Sequence, residues 1–350
     1  MASIKEGKIT IHKPLSKAPT RFVKPLEYHR NLIMKLFLSL CLFVISISLQ
    51  AQTYPSKSIR IVVPFPPGGS ADLLARALGE KLTASMGQPV LIDNKPGAGG
   101  IPGAEAVAKS TADGYTLLFA NTNIAINPSL YPKLPYDTAT TFTPVLLLAL
   151  VPSLIMVSEK TPANNIQELI ALAKAKPETL NYASAGSGTF PHLAIELFKM
   201  QAGISITHIP YKGAAPALNA LLTGEVQVLC NDMLTGSQHV KSGRLRALGY
   251  TGSTRAPTLP QIPTMAEAGV KDYVAVGWQG IMVPTGTPKA IIDRLNAEFN
   301  KALTDPTLRQ NLSAQGLVIS GGTTQQFAEF IAQDTERWRA VVKASGAKPE

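Results

Sequence analysis

The chain has 350 residues, with 33 Lys and Arg against 23 Asp and Glu, a formal net charge of +10 and two cysteines. The charge is uneven: residues 1–51 hold eight basic and two acidic residues, leaving 25 against 21, or +4, for the remainder. That remainder carries no long Lys/Arg run and no basic–aromatic interleaving, which argues against a nucleic-acid partner, and its single cysteine, Cys230, rules out an intramolecular disulfide.

Residues 1–33 are basic and patternless, and read as an upstream extension from a misassigned start. Met34-Lys35 then opens an apolar run, Leu36 to Leu49, that ends in Gln50-Ala51-Gln52. A positive charge, a short apolar core and a small residue at the cut describe a signal peptide over residues 34–51. The run is shorter than the roughly 20 residues a bilayer span needs; the competing reading is an uncleaved N-terminal anchor. The expected location is the periplasm. About 300 residues remain, enough for two lobes, each with its own core.

From there strand and helix alternate. Ile59 to Val63 reads as a strand stopped by Pro64, and Ser70 to Ser85 as a helix with Ala71, Leu74, Ala75, Leu78 and Leu82 on one face. Val90 to Ile92 is a short strand. Gly97 to Gly103 is a glycine-rich turn into a helix over Ala104 to Lys109, and Asp113-Gly114 turns into the strand Tyr115 to Ala120. After Pro152 the expected strands are Ser153 to Val157, Asn181 to Ser184, Ile206 to Ile209, Val226 to Cys230 and Leu245 to Tyr250. The expected helices are Ile166 to Ala175, one ending at Ala202, and Ala214 to Leu222. Three amphipathic helices close the chain: Pro288 to Leu303, Pro306 to Gln315 and Thr324 to Lys343. This is an α/β pattern with a mostly parallel sheet.

Two glycine-bearing turns stand where a strand runs into a helix: Pro64-Phe65-Pro66-Pro67-Gly68-Gly69-Ser70-Ala71-Asp72 and Ser184-Ala185-Gly186-Ser187-Gly188-Thr189. A helix N-terminus presents unpaired N–H groups and a partial positive charge, so both turns suit an anion. The alternative is an ordinary capped connection. Gly68 and Gly69 permit close backbone approach. Ser70 can cap the helix and reach a carboxylate oxygen. Asp72 is expected to orient backbone N–H groups. In the second turn Ser187, Gly188 and Thr189 offer donors, and His192 is either a ligand contact or a packed or exposed helical residue. Thr122 and Asn123, Tyr211 and Lys212, and Asp232 lie in strand-to-helix connections; Lys212 reads equally as a solvated lysine. Cys230, in an apolar stretch, reads as a small buried hydrophobe.

Enzymatic signatures are missing. Gly97-Ala98-Gly99-Gly100-Ile101-Pro102 places proline where a dinucleotide fingerprint needs its third glycine, no phosphate-loop Gly-Lys-Ser/Thr or Gly-x-Ser-x-Gly elbow occurs, and no Cys or His pair has zinc spacing. No cofactor, no metal and no catalytic activity are expected.

Several segments together resemble the Bug family of periplasmic solute receptors, which serve tripartite tricarboxylate transporters. They are Tyr54 to Arg60, Val63 to Gly69 with Asp72 and Arg76, Asp93 to Gly100, Ala112 to Thr116, Pro210 to Gly213, Gly243 to Ala247, Pro263 to Gly269 and Pro284 to Pro288. The resemblance implies a bilobal periplasmic binding protein fold (type II) with two crossovers between lobes. Lobe 1 would hold residues 52–152 plus 277–350 and lobe 2 residues 153–276, with a hinge near Pro152 and Val276. It implies a small carboxylate held by the turn around Phe65 to Ser70, including Pro67, with contacts from the second turn and Asp232 opposite. Cys230-Asn231-Asp232 departs from the family's more usual Phe-Asp-Asn order. Family members take dicarboxylates, amino acids, aromatic carboxylates and nicotinate-like compounds. The implied role is a monomeric receptor delivering to membrane permease subunits. A sensor feeding a membrane kinase, and a hydrolase or transferase on a bilobal fold, are the competing readings.

Overall fold

A computed structural model describes residues 54–349 except 178, together with Met34. The expected upstream extension and signal peptide therefore lie outside the described residues, Met34 apart.

The elements run β1 (Ile59–Val63), α1 (Ser70–Met86), β2 (Val90–Asn94), α2 (Ile101–Ala108), β3 (Thr116–Asn121), α3 (Asn123–Leu130) and β4 (Phe142–Ser158). They continue with α4 (Ile166–Ala175), β5 (Asn181–Ser184), α5 (Phe190–Ala202), β6 (Thr207–Pro210), α6 (Ala214–Thr223), β7 (Val228–Asp232), α7 (Met233–Lys241) and β8 (Leu245–Tyr250). Then come β9 (Val276–Pro284), α8 (Lys289–Leu303), α9 (Pro306–Ala314), β10 (Val318–Ile319) and α10 (Thr324–Ser345).

The fold is the bilobal α/β binding-protein fold, and β4 is its spine. Its first part lies between β9 and β10 in a sheet ordered β2-β1-β3-β9-β4-β10. Its last residues lie between β8 and β7 in a second sheet, β8-β4-β7-β5-β6. The partner changes between Pro152, opposite Val276, and Ser153, opposite Asp232. A proline at the change of ladder gives up little, because its missing N–H falls where one set of partners ends. Ser153 resumes pairing at once, its N–H donating to Thr251 Oγ1 at 2.8 Å.

The register also says where the strands point. Asn121 at the end of β3 pairs Gln279, close to the Val276 end of β9. Asp232 ends β7, and β5 runs parallel to β7. The carboxyl ends of β1 and β3 in one sheet, and of β5 and β7 in the other, therefore converge on the Pro152–Ser153 junction. Both glycine turns follow these strands.

Three expectations are corrected. The sheet is mixed: β1–β3 and β5–β7 form parallel groups, but β9 and β4 run antiparallel to their neighbours because each is a crossover. Neither β9 nor residues 142–152 were read as strands; both are central and buried on two faces, so their hydrophobicity has no alternation. Nor does each lobe keep wholly to its own core. One cluster lies on the first sheet under α1 and α8 (Ile61, Leu74, Phe299), and one on the second under α6 (Leu154, Leu221, Leu229). A third is shared, joining Leu118 and Ile126 to Tyr182, Leu193 and Phe198 through Trp278, Phe327 and Trp338. The reason is α10, which packs on α3, β4 and α5 together.

Candidate functional site

The first turn is held from its own helix. Gly68 has a φ of +87°, a conformation that favours glycine, and its N–H donates to Asp72 Oδ2 at 3.0 Å. Asp72 is buried and also accepts from Arg76 Nε at 3.0 Å and, through Oδ1, from Asn94 Nδ2 at 3.0 Å. Asn94 Nδ2 reaches the Phe65 carbonyl as well, at 3.1 Å. Burial raises the Asp72 carboxyl, but the bonds from Arg76, Gly68 and Asn94 outweigh it and hold the group below the usual aspartate value. Asp72 is thus a fixed, ionised acceptor that shapes the turn.

What the turn presents outward is backbone. Phe65 is half-buried, Pro67 and Gly68 are exposed, and a Cβ placed on Gly68 or Gly69 would meet nothing within 4 Å. The N-cap of α1 is Gly69 and no side chain caps it, which corrects the expected capping role of Ser70. The opening N–H groups of α1 therefore keep the uncapped, positive character that an anion needs. Ser70 Oγ instead accepts a long 3.4 Å bond from Gln279 Nε2 of β9. Nothing in the sequence singles out Gln279, because β9, which starts at this site, has no alternation to mark it as a strand.

The second turn has a similar plan. Gly186 (φ +126°) and Gly188 (φ +72°) carry the bend. Gly186 O accepts from Thr189 Oγ1 at 2.7 Å and from Ser184 Oγ at 3.0 Å, and Gly186 N–H donates back to Ser184 Oγ at 3.2 Å. The Gly188 N–H, expected to face a ligand, donates instead to His192 Nδ1 at 2.8 Å; Gly188 is buried, and a Cβ there would collide with Leu130 at the end of α3. Gly188 is therefore a point of close approach between the two halves. Ser187 and Thr189 are half-buried beside it.

The other expected residues divide. Thr122 connects β3 to α3 as the N-cap of that helix and Asn123 opens it; both are buried, with Thr122 Oγ1 accepting the Trp278 backbone N–H at 2.9 Å. Thr122 thus braces β9 beside the junction. Tyr211 lies against the second turn by its backbone, its N–H donating to Ser184 O at 3.0 Å. Its hydroxyl donates to Glu225 at 2.7 Å; desolvation, then Glu225, push it up to about 12. Asp232 is the N-cap of α7, its Oδ1 accepting from Thr235 N–H at 3.0 Å and Thr235 Oγ1 at 2.7 Å. Cys230 is fully buried, and burial pushes its thiol up to about 12, so it packs as a neutral hydrophobe.

Ser184 Oγ lies 2.6 Å from His208 Nε2, a spacing that suits a nucleophile and its base. Ser184 is 0% exposed, and its oxygen is already bonded to both ends of Gly186, so the contact serves the turn. Among the described residues no group of three or more His, Cys, Asp or Glu could hold a metal ion.

His192 makes folding stability pH-dependent. Burial, then the Lys199 ammonium, bring its imidazole from 6.5 down to about 4. It faces Glu196, Tyr182 and His208 as well. The unfolded chain takes up this proton near 6.5 and the folded protein only near 4. The contribution is complete above the upper value, declines as pH falls, and is gone below the lower one. It amounts to ~3 kcal/mol. Urea unfolding at several pH values across this window should show the decline in the wild type and a flatter profile in His192→Asn. Equal pH slopes in the two proteins would refute it.

Comparison with known proteins places these features in a family. Residues 74–347 match the family described as the tripartite tricarboxylate transporter family receptor. The chain is 40% identical to BugT of Bordetella pertussis over 306 residues, 87% of this chain and 94% of that protein. An R. palustris protein solved with adipate superposes with a TM-score of 0.80 at 36% identity, covering 85% of this chain and 100% of the other. MatC from Rhodopseudomonas palustris with bound malate gives a TM-score of 0.76 at 31% identity, covering 83% and 100%.

Proposed function

Because the chain belongs to the tripartite tricarboxylate transporter receptor family, we propose that it is an exported receptor that captures a small carboxylate between its two glycine turns and delivers it to membrane permease subunits. Receptors of this family are periplasmic, and the family and its structural neighbours are solute-binding receptors, not enzymes. The apolar run of residues 36–49 is the export signal in this reading. Residues 52–152 with 277–350 form one lobe and residues 153–276 the other, and the protein acts as a monomer without catalysing a reaction.

The observation that carries the reading is the first turn: an uncapped helix N-terminus beside two glycines whose Cα positions face open space. Such a surface binds a carboxylate through backbone donors without reading what it is attached to. Two neighbours were solved with dicarboxylates, adipate and malate, so the proposed ligand class is a small dicarboxylate or a close analogue. The test is thermal shift of the purified protein against a carboxylate panel that includes both. A true ligand at about 100 times its dissociation constant adds ~2.7 kcal/mol. A panel without one stabilising member would defeat the proposal.

Selectivity is assigned to the second lobe, around Ser187, Thr189, Tyr211 and Asp232. A ligand amino group would be favoured beside Asp232, whereas a second carboxylate there would meet repulsion unless donors or water intervened. Asp232→Asn keeps a good N-cap for α7 and is expected to reorder the panel without abolishing capture. An unchanged ranking by calorimetry would remove Asp232 from the selectivity residues.

A further inference from the structure

Beneath the second turn lie two imidazoles that no part of the carboxylate-binding reading uses. His192 comes from α5 and His208 from β6; their rings stack with centroids 3.9 Å apart and 7° between planes. Tyr182 of β5 continues the stack, 4.8 Å from His208 at 24°. Each imidazole reaches the turn at a different point. His192 Nδ1 accepts the Gly188 N–H at 2.8 Å. His208 Nε2 lies 2.6 Å from Ser184 Oγ, the oxygen that both donates to Gly186 O and accepts from Gly186 N–H.

Donor counting assigns the His192 proton. A nitrogen that accepts an N–H carries no hydrogen, so His192 is the neutral Nε2–H tautomer. Its Nε2 lies 4.0 Å from Glu196 Oε1. That carboxylate is already tied down by Tyr182 OH and by Lys199 Nζ at 2.6 Å. A serine hydroxyl has one hydrogen and two acceptor sites. Ser184 spends one acceptor site on Gly186 N–H. The direction of the 2.6 Å contact between Ser184 Oγ and His208 Nε2 follows the tautomer of His208.

The two halves of the molecule therefore use one device with different chemistry. In each turn a positive-φ glycine donates its N–H to the side chain four residues on: Gly68 to Asp72, Gly188 to His192. In the first turn the acceptor is a carboxylate balanced by Arg76 at 3.0 Å. In the second it is a neutral ring in a buried stack, which adds no negative charge opposite an anionic ligand.

We propose that the stacked His192–His208 pair is the positioning device of the second turn, with His192 fixing Gly188 and His208 fixing Gly186 through Ser184 so that the turn is shaped for ligand before ligand arrives. The proposal rests on the reading that this turn faces a bound carboxylate. Neither histidine touches the ligand; both act through the backbone they hold.

The experiment compares wild type, His192→Leu and His192→Asn by amide hydrogen exchange at Gly188 and by calorimetry with malate and adipate. Leucine removes the acceptor and keeps the burial; the asparagine Oδ1 falls near the place of Nδ1 and restores it. The Gly188 amide is expected to be protected in the wild type, to exchange on the order of 100-fold faster in His192→Leu, and to regain protection in His192→Asn. Affinity for the bound probe should fall roughly tenfold in the first variant and recover in the second. An unprotected Gly188 in the wild type overturns the proposal with no variant needed. So does a released Gly188 with unchanged affinity, provided Gly69→Val still loses binding. If neither that variant nor His192→Leu alters affinity, it is the cleft reading that fails, while restored protection in His192→Asn upholds the brace.

Discussion

Gly69→Val is expected to weaken carboxylate binding on the order of 100-fold, about 3 kcal/mol, while leaving the fold intact. Two features of Gly69 separate these effects. Its backbone sits at φ −83° and ψ 172°, extended, where a β-branched residue is at ease. A Cβ there meets nothing within 4 Å, so nothing in the protein has to move. The loss to folding is that of a poorer N-cap, within ~1 kcal/mol. The same open space is where a carboxylate must approach the first N–H groups of α1, and the valine methyls would fill it. Gly68 is a worse choice for this test, because its φ of +87° would add strain to any side chain and confuse the two outcomes. Calorimetry with the strongest ligand of the thermal-shift panel, beside a urea melt, reads both quantities. Unchanged affinity would take the first turn out of the site.

Trp338→Ala is expected to destabilise the whole molecule by ~4 kcal/mol and lower the melting temperature on the order of 10 °C. Trp338 is 0% exposed on α10. Its ring meets Phe190, the first residue of α5, edge-on at 5.7 Å and 85°. Its indole N–H donates to Asp334 Oδ2 at 3.1 Å, the oxygen that also takes the Trp278 indole N–H at 2.7 Å. Asp334 is itself buried; desolvation lifts its carboxyl above the usual value, although the two indoles and Arg337 pull it down. Trp338 thus joins the β9 crossover to the helix that follows the second turn. Removing it leaves a cavity in the core that both lobes share. Trp338→Phe keeps a ring against Phe190 but loses the N–H bond and part of the indole volume, at an intermediate cost of about 2 kcal/mol. The shared core also requires one cooperative transition in both variants. Calorimetric melting in two steps, with the second lobe at its wild-type temperature, would show the core to be divisible.

Much of the architecture was legible in local pattern. Ser70 to Ser85 showed its apolar face at helical spacing, and α1 runs to Met86 with Gly87 in the left-handed conformation just beyond. Asn181 to Ser184 is the strand β5 as read. Asp72 was read as an organiser of backbone N–H groups, and it bonds that of Gly68. Residues 142–152 of β4 and the whole of β9 are not legible, because a strand buried on both faces has no polar alternation to announce it.

Local pattern is enough for the α/β class, the two glycine turns at strand-to-helix junctions, and the family. Each of these is written in neighbouring residues: backbone freedom at Gly68 and Gly188, helix periodicity, and short motifs in a fixed order. Which donors remain for a ligand follows from long-range packing. Gly188 loses its N–H to His192, Tyr211 turns its hydroxyl to Glu225, and Thr122 Oγ1 is held in place by accepting the Trp278 backbone N–H. A polar group's availability depends on whether some other part of the chain satisfies it first. For Thr122 that partner lies 156 positions away, on a crossover strand whose place is set by the pairing of β3, β9 and β4.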